Sequence, residues 1–287
     1  MKWKAWALIV LVGAAILAAL LVPGEREISG EREPSYLGHR LSWWVEEYGH
    51  SYPGERDPKV VEALSKIGTN AIPFLFTWMR STYDIKSSEG ELRAARARAA
   101  AGVFSVLGTN ARPAIPELGR MVNEPTNYFD YDLATVALCG IGNEGLPALA
   151  AALANPKTPD RTGLVWRMSL SFHTNPAVVP VFAKCLQDTD NKLREQVALA
   201  LGSMVLAPEV AVPALADCLK DAPPPPLRRR LFRTLAAFGP QGRAAIPVLV
   251  TRLNDPDLEA RTDATNALQR IAPEVLTNSP APQPVPL

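Results

Sequence analysis

The sequence has 287 residues, of which 47% are hydrophobic and 21% are charged. A chain of this length and composition can bury a sizeable core and is not disordered as a whole. Its 30 Lys and Arg residues against 29 Asp and Glu residues give a formal net charge of +1, so no global basic field favours nucleic acid as a partner. The three cysteines lie in apolar helical patterns without CxxC spacing, which argues against a disulfide framework and a zinc finger.

The chain begins with two lysines and an uncharged apolar run, residues 5–22. The run is about as long as a membrane-spanning helix and longer than the apolar region of most signal peptides. Since Val22-Pro23-Gly24 is a poor cleavage site, segment 1–22 is predicted to be a signal anchor, with a cleaved signal peptide as the alternative. Resemblance to ordinary export signals would place the remainder in the periplasm or outside the cytoplasm. Residues 23–35 are predicted to form a solvated stalk.

A Pro-x-Leu phrase, with Phe in place of Leu once, recurs through the rest of the chain. Successive prolines are 43, 31, 33, 33 and 34 residues apart, which is typical of stacked helical repeats that cannot bury an apolar face alone. The prolines are Pro73, Pro116, Pro147, Pro180, Pro213 and Pro247. Each is predicted to begin the second helix of a two-helix repeat, where a missing N–H costs nothing. Glycines are predicted to make the left-handed turn after each first helix, at Gly68, Gly108, Gly142, Gly202 and Gly239.

The repeat phase also separates core from surface. Positions two and six residues after each proline are apolar and one helical turn apart, so they are predicted to be buried. Arg161, Arg194, Arg228 and Arg261 come early in first helices and are predicted to form a ladder with the Asp residues of neighbouring turns. The first interval is about ten residues longer than the others, which predicts a loop at Thr82–Glu91.

Residues 212–268 resemble HEAT-type repeats of the bacterial kind, and the resemblance extends over residues 58–272. The segment Tyr36-Leu37-Gly38-His39-Arg40-Leu41-Ser42-Trp43-Trp44 resembles the Tyr-x-Gly-x-x-Leu-Ser-x-Trp opening of exported or anchored HEAT-repeat proteins of planctomycete and verrucomicrobial type. The resemblance implies an all-α fold, an α-solenoid or HEAT/armadillo-like superhelix, with one N-terminal transmembrane or signal helix. It further implies an N-terminal cap at 36–57, followed by the array. Residues 273–287 contain five prolines and are predicted to form an extended, polyproline-like tail.

Family resemblance implies a membrane-anchored, non-catalytic scaffold for protein–protein interaction. Some HEAT-like arrays belong to bilin lyases, so the alternative is a bilin lyase-type enzyme or its subunit. No cofactor, metal, nucleic acid or small-molecule substrate is expected. The phrase Gly140–Gly145 matches a dinucleotide fingerprint, but a helix precedes it, so an interhelix turn is predicted. Arg228–Arg230 and Arg233 could bind phosphate, yet no aromatic residue is interleaved, which favours a solvated face.

Positions four and seven after each proline share one face of the second helix, which is concave in the resembling family. This stripe carries a net charge of +3, from four cations and Asp217. All Trp and Tyr residues fall between Trp3 and Trp166, and such side chains are favoured at interfaces. An acidic or mixed polypeptide is therefore predicted to bind around Trp78, Arg80, Tyr83, Arg120, Lys184 and Lys220.

Overall fold

The computed structural model describes residues 32–51, 55–80 and 87–278. The predicted anchor, residues 23–31 of the stalk and the last nine residues of the Pro-rich tail lie outside the described residues. The first six residues of that tail, Pro273–Asn278, form a helix and not an extended segment. The chain forms two compact units, Met1–Ala97 and Arg98–Leu287.

Unit 1 opens with a short hairpin that the sequence did not predict. Strand β1 (Ser35–Tyr36) pairs antiparallel with β2 (His39–Arg40), and Leu37 and Gly38 make the turn with φ of 48° and 82°. The indole Nε1 of Trp44 donates to the carbonyl oxygen of Tyr36 at 3.2 Å. The helices of this unit are α1 (Leu41–His50), α2 (Pro58–Ile67), α3 (Ile72–Met79) and the first half of α4 (Ser88–Leu107).

Local sequence signals set the boundaries of these helices. Asp57 accepts a hydrogen bond from the backbone N–H of Lys59 at 2.9 Å and so caps α2, as short acidic side chains commonly do. The prediction of a loop at Thr82–Glu91 is wrong for its last four residues, which form the first turn of α4. Ser87 begins that turn by accepting a hydrogen bond from the backbone N–H of Gly90 at 3.1 Å. Residues 82–86 lie outside the described part of the chain.

Unit 2 begins within α4 and consists of stacked two-helix repeats. Its further helices are α5 (Ile115–Asn123), α6 (Tyr128–Ile141), α7 (Leu146–Ala154), α8 (Arg161–Ser171), α9 (Val179–Cys185), α10 (Asn191–Met204), α11 (Pro208–Lys220), α12 (Pro225–Ala237), α13 (Ile246–Thr251), α14 (Leu258–Ile271) and α15 (Pro273–Asn278). First helices α6, α8, α10, α12 and α14 contact one another in sequence, and so do second helices α5, α7, α9, α11 and α13. The predicted α-helical repeat architecture is confirmed.

The turn between the helices of a repeat follows the glycine prediction in four places. Gly68, Gly108, Gly142 and Gly239 have φ of 62°, 51°, 84° and 52°, a region that costs glycine no steric penalty. Gly202 was predicted wrongly, because it lies inside α10. A Cβ there would meet Thr234 Oγ1 at 3.0 Å, so this glycine permits close helix packing, and Val205 ends the helix instead with φ of 49°.

Prolines mark the second helices with one exception. Helices α3, α5, α7, α9 and α13 all start one residue before their proline. Pro213 instead lies inside α11, which begins five residues earlier at Pro208. Pro208 occupies the favoured first turn, so the helix starts there.

The buried face predicted from repeat phase is confirmed. The residues two positions after each proline are all 0% exposed: Leu75, Leu118, Leu149, Phe182, Leu215 and Leu249. Those six positions after are buried as well, except for the half-buried Leu253. This apolar layer between first and second helices is the core that holds the repeats together.

Within the described residues, one helical stretch is long and apolar enough to cross a membrane, Tyr128–Ala154. It comprises α6, a turn and α7, and half of its most apolar window is buried inside the protein. The predicted membrane segment 5–22 lies outside the described residues.

Candidate interaction surface

The predicted stripe on the second helices is exposed. All six residues four positions after a proline are exposed to solvent, namely Thr77, Arg120, Ala151, Lys184, Asp217 and Thr251. The residues seven positions after are exposed too, apart from the half-buried Asn123. The helical phase therefore identifies this outer face correctly.

In unit 1, Trp78 departs from its predicted role. Its side chain is only 8% exposed and lies 6.4 Å from the Phe74 ring, with the Arg96 guanidinium 5.8 Å from its centroid. Trp78 is therefore a core residue of unit 1. Arg80 is exposed, and its guanidinium lies 5.2 Å from the ring of Phe76. Tyr83 lies outside the described residues.

In unit 2, local partners neutralise much of the predicted positive stripe. Arg120 Nη2 lies 2.6 Å from Glu117 Oε1, and Lys220 Nζ lies 2.7 Å from Asp217 Oδ1. Lys184 is exposed on α9. The exposed positions of α7 are alanines and a proline, so this face offers few groups that could anchor a partner.

Large exposed apolar side chains lie instead on the first helices of unit 2. Tyr128 on α6 is 59% exposed, Trp166 and Leu170 on α8 are 53% and 56% exposed, and Leu199 on α10 is 41% exposed. Trp166 and Leu170 are four residues apart and share one face of α8. We call Tyr128, Trp166, Leu170 and Leu199 the apolar strip.

Two residues of the apolar strip, Trp166 and Leu199, follow the repeat register. Trp166 and Leu199 each come 14 residues before the proline of their own repeat, and α8 contacts α10. The two side chains therefore occupy equivalent positions on neighbouring helices. The aromatic residues predicted to bind a partner do not include this strip, and repeat phase alone does not identify it, because the equivalent residue of α6, Leu133, is 1% exposed.

The next equivalent position, on α12, is Arg233. It lines a cleft of about 270 Å³ together with Arg229, Arg230, Glu195 and the first-turn prolines of α12, Pro225 and Pro226. We call this the arginine cleft. The sequence singled out its arginines but predicted a solvated face, because the cleft depends on how α10 and α12 pack.

Neighbouring carboxylates already pair with some of the guanidinium groups of the cleft. Arg229 forms an ion pair with Glu259, whereas Arg230 Nη2 lies 4.0 Å from Glu195 Oε1. Burial raises the pKa of Asp263, and the charges of Arg233 and Arg229 oppose this rise. Among the described residues Arg233 forms no hydrogen bond and no ion pair within 4.0 Å.

The glycine phrase at 140–145 is structural. A Cβ on Gly140 would lie 2.9 Å from the backbone nitrogen of Ser105, and one on Gly145 would clash with the carbonyl oxygen of Leu138. Together with the positive φ of Gly142, these contacts confirm an interhelix turn. Across residues 32–51, 55–80 and 87–278, no group of three His, Cys, Asp or Glu side chains is placed to hold a metal ion.

Among known protein families, the one described as HEAT repeats matches this chain over residues 146–236 and 212–281. A structure of human deoxyhypusine hydroxylase in complex with glycerol is similar at 16% identity and a TM-score of 0.37, over 80% of this chain and 83% of that chain. An engineered protein is similar at 14% identity and a TM-score of 0.31, over 82% of this chain and 100% of that chain. No curated protein matches the sequence. With its stacked two-helix repeats and a family match that reaches from residue 146 to residue 281, this part of the chain consists of HEAT repeats.

Proposed function

We propose that this protein is a non-catalytic scaffold that binds a protein partner and is held at a membrane by residues 5–22. The apolar strip carries the proposal. Large apolar patches are uncommon on the surfaces of monomeric proteins, and they mark interaction sites when they occur. Trp166 and Leu170 share one face of α8, which contacts the helix that carries Leu199. Stacked repeats supply an extended surface on which such a site can be built.

The two layers of unit 2 offer different surfaces to a partner. The first helices present aromatic and aliphatic side chains, whose burial supplies most of the affinity of an interface. The second helices present alanines and charges that already have local partners, and exposed charges of this kind affect association rate more than affinity. The first-helix layer is therefore the principal proposed surface, with Arg120, Lys184 and Lys220 as a secondary one.

A cross-linked pull-down from membranes of the source cell, with the tagged full chain as bait, tests this assignment. Replacing both Trp166→Ser and Leu170→Ser should reduce capture of the partner at least tenfold. Leu258→Ser is the matched control, because Leu258 is 67% exposed on α14 and outside the strip. Equal capture by the strip variant and the wild type would contradict the proposal. Loss of capture only in Arg120→Glu with Lys184→Glu would assign the partner to the second helices of unit 2.

The membrane attachment has its own test. The mature protein should keep residue 1 or 2 as its N-terminus and stay in the membrane pellet after carbonate treatment. An N-terminus near residue 25 or 31, or extraction by carbonate, would instead indicate a soluble periplasmic or secreted protein. A bilin bound at stoichiometric levels after purification would favour the enzyme alternative.

A further inference from the structure

We infer that the arginine cleft binds carboxylates of an acidic segment in the protein partner, and that the apolar side chains of the same segment continue onto Leu199 and Trp166. This inference rests on the proposed scaffold function and deepens it. It replaces the sequence-based interpretation of these arginines as a merely solvated face.

The chemistry of the cleft fits carboxylates. Guanidinium groups present planar forks of N–H donors that match the two oxygens of a carboxylate. The neighbouring arginines already pair with carboxylates, Arg228 with Asp257 and Arg229 with Glu259. Pro225 and Pro226 form an apolar wall of the cleft, and neither has a backbone N–H group.

Two of the guanidinium groups are available to a partner. Arg233 is exposed and, within the described part of the chain, forms no ion pair. Arg230 lies 4.0 Å from Glu195, at the limit of direct pairing and longer than a charge-assisted hydrogen bond of about 2.8 Å. A partner carboxylate can therefore approach Arg233 directly and replace Glu195 at Arg230.

The charge balance selects a short acidic segment over a polyanion. Four arginines at positions 228, 229, 230 and 233 stand beside four carboxylates, those of Glu195, Asp257, Glu259 and Asp263. Because the neighbourhood is neutral overall, it generates no long-range field of the kind that attracts nucleic acid. Attraction is local to the guanidinium groups, as expected for recognition of one or two carboxylates.

The repeat register sets the spacing of the segment. Arg233, Leu199 and Trp166 lie at equivalent positions on α12, α10 and α8, each 14 residues before the proline of its repeat. Packed helix axes are about 8–10 Å apart, and a polyproline II peptide advances about 3.1 Å per residue with three residues per turn. Three residues of such a peptide thus span about one helix and return to the same face, so the segment has acidic residues, then an apolar residue at each of the next two three-residue intervals.

The test uses the purified full chain in mild detergent and a fluorescein-labelled peptide with two glutamates, followed at three-residue intervals by leucine and phenylalanine. Fluorescence anisotropy should show saturable binding that weakens at least tenfold in Arg233→Glu, severalfold in Arg233→Gln and severalfold in Leu199→Ser. Arg243→Glu is the control, because Arg243 pairs with Glu274 outside the cleft and its reversal should leave binding unchanged. Circular dichroism verifies that each variant is folded.

Three outcomes would overturn the inference. A peptide with the same composition but scrambled order could bind equally well, which would remove the register. Inorganic phosphate could bind the cleft while the peptide does not, which would indicate a site for small anions. The Arg233 variants could bind the peptide as the wild type does. In each case, loss of partner capture by the Trp166 and Leu170 variant would still support the scaffold function, so the two proposals fail separately.

Discussion

Arg161 joins Asp188 across a repeat boundary of unit 2, and both side chains are mostly buried, with exposed fractions of 10% and 21%. The Nε of Arg161 also donates to the carbonyl oxygen of Leu153 at 2.7 Å. One repeat later, Arg194 Nε donates to Leu186 at 3.0 Å and its Nη2 lies 3.9 Å from Asp221. One guanidinium thus satisfies the end of a second helix and links it to the next turn, which confirms the predicted ladder at these two positions.

The ladder changes at Arg228. Arg161 and Arg194 follow the proline of the preceding repeat by 14 residues, whereas Arg228 follows Pro213 by 15. Arg228 pairs instead with Asp257 of the next repeat. Arg252 donates instead to the carbonyl oxygen of Leu219 at 2.9 Å, so that helix end is still satisfied.

Asp188→Asn should lower the free energy of unfolding at pH 7 by about 1.5–3 kcal/mol, since hydrogen bonds to charged groups contribute this much. The Arg161 hydrogen bond lowers the pKa of Asp188 below its ordinary value of 3.8. A lowered folded-state pKa gives stability that is present above about pH 4 and is lost as the pH falls through the folded value. Urea denaturation should therefore show a gap between variant and wild type at pH 7 that narrows below pH 4.

The control for Asp188→Asn is Asp217→Asn, which removes the exposed ion pair with Lys220. Its side chain is 64% exposed, and such pairs contribute about 0.2–1 kcal/mol. Equal losses of stability in the two variants would contradict a special contribution from the Arg161–Asp188 pair.

Gly140→Ala should destabilise the protein by about 1–3 kcal/mol, which is typical of overpacking. The new methyl group would lie 2.9 Å from the backbone nitrogen of Ser105, and backbone cannot move aside as a flexible side chain can. Gly119→Ala on α5 is the matched variant, because its Cβ would lie 3.5 Å from that of Ala148. Alanine favours a helix interior, so Gly119→Ala should stabilise by up to about 1 kcal/mol. The same sign of change in both variants by urea denaturation would refute this interpretation.

Tyr131→Phe should lower the free energy of unfolding by about 1–3 kcal/mol. The Tyr131 hydroxyl donates to the carbonyl oxygen of Asp160 at 2.6 Å, and Tyr131 is 3% exposed. The variant would leave this carbonyl oxygen without its hydrogen-bond donor. Tyr128→Phe is the comparison, since Tyr128 is 59% exposed and should lose little. Burial also raises the pKa of Tyr131 far above that of a free tyrosine, so its phenol should not ionise in a spectroscopic titration until the protein unfolds in alkali.

The repeat architecture could be predicted because proline fixes the phase of every second helix. Once Pro147 is aligned with Pro180, the burial of Leu149 and Phe182 follows from helical geometry alone. Gly202 could not be assigned in this way, because glycine serves both as a turn residue and as a point of close helix contact. Only the position of Thr234 on the neighbouring helix decides between these roles.

The surface was less predictable than the core. Trp78 and Trp166 are both aromatic residues on repeat helices, yet one is 8% exposed and the other 53%. Their exposure depends on which residues of neighbouring elements cover them, and the position of a residue within its repeat does not determine that cover. The arginine cleft likewise exists only because the first turn of α12 packs beside Glu195 on α10.

The three cysteines are predicted to be unreactive in the folded protein. Cys139 and Cys185 are 8% exposed and Cys218 is 4% exposed, and burial raises the pKa of both Cys139 and Cys185 to about 11. Because only the thiolate attacks a disulfide reagent, all three should react very slowly with Ellman's reagent at pH 7.5 in the native protein and rapidly in denaturant.

Burial also raises the pKa of Cys218, but Arg194, whose Nη2 lies 3.2 Å from the Cys218 Sγ, opposes this effect. In variants that retain one cysteine each, Cys218 should therefore show a higher thiolate fraction than Cys139 or Cys185 as the pH is raised towards 9. Rapid native labelling of Cys139 or Cys185 at pH 7.5 would show that the repeat core opens locally, and would contradict the close packing of α6 and α9.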